Sequence, residues 1–103
     1  MDREPSFTEL MNRSLRYAHG ITDDLIEMTA EWDDIPDIEQ ASFLADWDQF
    51  AQSILPHFEE ELSNGRMTPA QEAEYQRLLR RIEQNLPLVR RFNLTMPRVP
   101  AER

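Results

Sequence analysis

Residues 43–62 read FLADWDQFAQSILPHFEEEL, and the spacing of their apolar side chains decides what kind of protein this is. Phe43, Leu44, Trp47, Phe50, Ala51, Ile54, Leu55, Phe58 and Leu62 recur mostly at steps of three and four. That is the period of a helix with one buried face, not the alternation of a strand. Four of the seven Phe and Trp residues lie here, so the segment is predicted to be the central helix of the core. Asp34 and Ile35 lead into Pro36, a residue suited to a first helical turn, and Asp37 and Glu39 follow where a helix dipole favours negative charge. Ser63, Asn64 and Gly65 mark the end, with glycine where helices commonly terminate. Pro56 interrupts the pattern; lacking an N–H for the carbonyl of Gln52, it predicts a bend.

Outward from this segment, a helix precedes and another follows. Ser6 and Glu9 form an S-x-x-E capping box. After it Phe7, Met11, Ser14, Ala18, Ile21, Leu25, Met28 and Trp32 make a stripe, widened by Leu10, Leu15, Tyr17 and Ile26 to about half the circumference. That is broad for a helix with one neighbour. Gly20 falls on the polar side, where glycine costs about 1 kcal/mol of helix propensity. In the third helix Thr68 and Gln71 form a second box around Pro69. Its stripe of Tyr75, Leu78, Leu79, Ile82, Leu86 and Val89 is narrower. Pro87 predicts either a bend or a stop near Asn85 with a restart.

The short connections at 33–36 and 63–68 make consecutive helices antiparallel neighbours. The expected fold is therefore all-α: an up-down-up three-helix bundle with long helices and kinks near Pro56 and Pro87. It occupies one domain over residues 1–94, followed by an extended Pro-containing tail over 95–103.

Composition narrows the function classes. The chain has 103 residues, no cysteine and a net charge of −9, so disulfides and thiolate metal sites are excluded. No signal-peptide pattern and no run of eighteen apolar residues is visible, which places the protein in the cytoplasm, off the membrane. Charge is segregated: residues 1–62 hold sixteen acids and three bases, a balance of −13. Residues 63–103 hold four acids and eight bases, a balance of +4. An overall acidic molecule repels a phosphate backbone, so direct nucleic-acid binding is not expected.

His19 and His57 are the two histidines. In a hairpin turning near residue 35, facing residues sum to about 70; these sum to 76, a mismatch of ~9 Å along a helix. No metal site is expected from them, nor from Glu31, Asp33, Asp34, Asp37 and Glu39, which lack the glycine turn of a calcium loop. No Gly-rich phosphate loop, cofactor motif or nucleophile–base pairing is present. Arg77, Arg80, Arg81 and Arg91 are predicted to point away from the Tyr75–Val89 seam, as a partner-facing patch. The expected function is a non-enzymatic interaction module without cofactor. It pairs with itself through surplus apolar surface on the first and third helices and has room for a further protein partner. The alternatives are a bundle enclosing a small hydrophobic ligand and an acidic regulator that mimics nucleic acid.

Overall fold

The computed structural model of the protein describes residue 4 and residues 6–98. Its described residues form helices and no strand. Helix α1 spans Phe7–Ala30, and a 3-10 turn at Trp32–Asp34 leads to α2, Asp37–Gln49. A π-helical turn at Phe50–Ile54 joins α2 directly to α3, Leu55–Ser63; α4 spans Pro69–Gln84 and α5 Leu86–Arg91.

The caps explain most of these boundaries. Ser6 Oγ accepts from the Glu9 amide at 3.1 Å, and the Ser6 hydroxyl donates to the Glu9 carboxylate at 3.3 Å. At α4 both halves of the box are made: Thr68 Oγ1 accepts from the Gln71 amide, and Gln71 Oε1 accepts from the Thr68 amide, each at 3.1 Å. Pro36 stands just outside α2 instead of inside its first turn. Gln40 secures the connection by donating to the carbonyls of Trp32 and Ile35.

At the end of α3, Gly65 adopts φ +69°. The Arg66 amide donates to the Glu61 carbonyl and the Gly65 amide to that of Leu62, the paired closure of a Schellman motif. A Cβ at Gly65 meets nothing within 4 Å, so only backbone strain opposes a side chain. Gly65→Ala is expected to destabilise the fold by about 1 kcal/mol, read as a lower urea midpoint. An unchanged midpoint would show that the left-handed turn is not required.

The two prolines are accommodated differently. Pro56 sits at the second position of α3, and ahead of it the helix widens: the Leu55 amide donates to Phe50, five residues back. The π turn relieves a stretch in which proline has no N–H for the Gln52 carbonyl. At Pro87 the helix stops at Gln84 and restarts at Leu86. Pro87 then occupies the first turn of α5, where no intrahelical donor is needed.

The core is continuous. Met11, Leu15, Ala18, Ile21 and Leu25 of α1 meet Phe43, Trp47, Phe50, Leu55 and Phe58 of the central run, with Tyr75, Leu78, Ile82 and Val89 behind them. Aromatic rings chain through one end: Phe92 to Trp32, Trp32 to Phe43, Phe43 to Trp47, and Trp47 to Phe50, with centroids 5.4–6.3 Å apart. The buried stripe of α1 is rotated from the expected one. Thr22 and Thr29 are buried, each giving its hydroxyl to the carbonyl four residues back, which satisfies a polar group inside a helix. Phe7, Leu10 and Tyr17 are correspondingly left 43%, 47% and 45% exposed.

Residues 95–98 carry no helix but lie against α2. Asn93, at φ +55°, closes α5 as glycine closes α3, the Leu94 amide reaching the Val89 carbonyl. Leu94 is buried, and the indole Nε1 of Trp47 donates to the Thr95 carbonyl at 2.8 Å.

Candidate functional site

The four arginines expected to form one outward patch each have a different setting. Arg77 is exposed and pairs with Glu74 one turn back at 2.7 Å. Arg80 is exposed beside Glu83 over a shallow depression. Arg91 is exposed on α5, its guanidinium 5.4 Å from the Phe92 ring centre.

Arg81, by contrast, is half-buried and reaches across to α1. Its guanidinium spans from α4 to α1, donating to His19 Nδ1 at 2.9 Å, to the His19 carbonyl at 3.4 Å and to Asp23 Oδ1. A guanidinium only donates, so His19 Nδ1 must accept and its proton sits on Nε2. That Nε2 is buried and lies 3.3 Å from Glu74 Oε2, without hydrogen-bond alignment. The cluster staples α4 to α1.

No group of three or more metal-ligating side chains occurs among the described residues. Glu61 is buried, with Oε2 3.5 Å from the Arg66 guanidinium. Burial pushes the Tyr75 hydroxyl up to about 12, and that hydroxyl donates to the Glu59 carboxylate. These contacts tie α3 to its neighbours, and of these residues Glu59 also lines an open concavity.

Two concavities flank the π turn. One, of about 710 Å³, lies between the turn and the chain end, with Ala51, Leu55, Pro56 and Met96 among its lining residues. The other, of about 630 Å³, runs between α1 and the central helical run, lined by Arg13, Ser14, Tyr17, Gln49, Ser53, Ile54 and His57. Past Tyr17, which lines both, lies a smaller hollow over Gly20 and Ile21, bounded by Asp24 and Asp46. Tyr17 therefore sits between two hollows that follow one another along α1 and together make a groove. Its hydroxyl is raised above the ordinary tyrosine value, by burial first and then by the charges of Asp46 and Asp24.

The groove has a polarity. Arg13 and His57 stand at one end, Asp24 and Asp46 at the other, and Tyr17 with Ile54 between them. Sequence reading placed Tyr17 on a broad apolar arc but did not single it out. The available signal was the surplus itself: a half-circumference of apolar residues on a helix whose buried face needs less.

No helix among the described residues is long and apolar enough to cross a membrane. Compared with protein-family models, with curated proteins and with solved structures, the chain matches none of them.

Proposed function

We propose that this chain is a non-enzymatic interaction module that works as a homodimer, each copy an up-down-up three-helix bundle. Contacts along the helices support that topology. Gln71, in the first turn of α4, donates to the Thr8 carbonyl and to Asn12, while Arg81, three turns on, meets His19 and Asp23. Such a register suits α4 running alongside α1 in the same direction. Arg13 lines the same hollow as His57, and Asp24 the same hollow as Asp46, from opposite walls. These pairs sum to 70, the value for an antiparallel hairpin turning near residue 35.

One observation carries the functional reading. Of the seven exposed large apolar side chains among the described residues, four are on α1: Phe7, Leu10, Tyr17 and Ile26. Ile38 and Leu44 are on α2, and Met96 lies beyond α5. The surplus therefore lies on α1 and its neighbour, and none of these exposed residues is on α4 or α5. A radius of gyration of 14.8 Å, against about 13 Å for a typical domain of 100 residues, fits a molecule that leaves a flank uncovered. Exposed apolar surface of this kind is covered in oligomers by a self-complementary copy.

Dimerisation links stability to concentration. Thermal unfolding recorded from about 1 to 100 μM is expected to give a midpoint that climbs with concentration. A midpoint independent of concentration would remove the homodimer reading.

A further inference from the structure

We propose that the long groove beside α1 is the docking face for a second copy of this chain, with α1 antiparallel to the α1 of that copy across a two-fold axis. This rests on the self-association argued above and adds to it the surface, the register and the residues in contact.

The first ground is charge. Any surface that pairs with itself about a two-fold axis meets its own opposite end. Here one end of the groove carries Arg13 and His57 and the other Asp24 and Asp46, with Tyr17 and Ile54 between. Turned end for end, the surface is complementary to itself: the basic end of each copy lies on the acidic end of the other. Arg13, Asp24 and Asp46 are all exposed, and Arg13 makes no ion pair within the chain among the described residues.

The second ground is the register that α1 itself dictates. At 100° per residue, Leu10, Arg13, Tyr17, Gly20 and Asp24 fall within one arc of about 80°, and all five are exposed. An axis midway between Tyr17 and Gly20 sets Arg13 opposite Asp24 of the second copy and Tyr17 opposite its Gly20. The two Arg–Asp pairs then bracket the contact, with Arg13 and Asp24 about 16 Å apart along each helix.

The third ground is Gly20. It interrupts a 24-residue helix where alanine would be more favourable, and nothing in the chain lies within 4 Å of where its Cβ would stand. Packing within one copy therefore gives no reason for a glycine. A close approach by another copy does: the hollow over Gly20, about 220 Å³, admits the ring of the other copy's Tyr17.

The test uses two single substitutions of the whole chain, Arg13→Asp and Asp24→Arg, both at exposed positions that leave the core intact. In a dimer of either variant, like charges face each other twice, so the dissociation constant is expected to rise about tenfold or more. Mixed in equal amounts, the two variants restore both opposite-charge pairs in the heterodimer, and sedimentation is expected to show dimer in the mixture alone. Gly20→Ala, which favours the helix, is expected to weaken dimerisation while raising the thermal midpoint of the dilute monomer. If either variant alone dimerises as tightly as the unsubstituted chain, or the mixture remains monomeric, this surface or this register is wrong while self-association stands. If the unsubstituted chain is itself a monomer, the homodimer reading fails and this proposal with it.

Discussion

Trp47→Ala is expected to cost the fold about 3–5 kcal/mol, a large part of the 5–15 kcal/mol that holds a typical domain together. Trp47 is fully buried and stands between Phe43 and Phe50 in the aromatic chain, its ring centre 5.4 Å from that of Phe50. Truncation leaves a cavity at the centre of the core, where continuous helices on several sides limit collapse. It also removes the donor to the Thr95 carbonyl, one of two hydrogen bonds from α2 to residues 94–98, the other joining Thr95 Oγ1 to Asp48. Loss should therefore appear twice: a large fall in the urea midpoint, and faster amide exchange at 94–98 before global unfolding. Trp47→Phe separates the two effects, retaining most of the volume while removing only the hydrogen bond to Thr95. A fall below about 1 kcal/mol for the alanine variant would contradict a central role for this side chain.

The second large effect is alkaline destabilisation through Tyr75. Its hydroxyl is buried against Glu59, and burial raises it from an ordinary value of 10.0 to about 12. A raised folded value means that the folded state keeps its proton while the unfolded chain has already lost it. The contribution is therefore intact below pH 10 and is lost as pH climbs from 10 towards 12. Two units of difference correspond to roughly 2–3 kcal/mol at the upper end. Tyr17, raised in the same direction, adds to the fall; comparing the unsubstituted chain with Tyr75→Phe isolates the buried residue. Denaturant unfolding at pH 9, 10, 11 and 12 should show a steeper decline in the unsubstituted chain. Parallel declines would mean that Tyr75 titrates as an exposed tyrosine does.

Much of the fold was legible because its signals are local. The Thr68 box, the glycine after Asn64, the acidic start of α2 and the three-four spacing of residues 43–62 each specify a helix or its end without tertiary information. The departures arise where side chains act against their type. Thr22 and Thr29 count as polar in any hydropathy pattern, yet each is satisfied by its own helix and buried. Counting them as surface rotated the predicted face of α1 towards Phe7 and Ser14. Asn93 takes a left-handed turn that sequence signals by residue type alone, so the docking of residues 95–98 was not foreseen. The π turn before Pro56 was likewise read only as a bend.

The candidate site was legible in kind but not in place. A surplus of apolar surface on the first helix followed from its broad arc. On the third helix Tyr75, Leu78, Leu79 and Ile82 are all buried. The Arg81 guanidinium illustrates the remaining difficulty. On helical angle alone it points away from the seam, but a long side chain reaches across to His19 and Asp23. The polarity of the groove needed both walls, since Arg13 and Asp24 come from one helix and His57 and Asp46 from another.

Sedimentation equilibrium of the intact chain, over micromolar to hundred-micromolar concentrations, tests the central claim most directly. The account predicts a mass that rises with concentration towards twice the 12.2 kDa of a single chain. A mass fixed at 12.2 kDa across the range would contradict it.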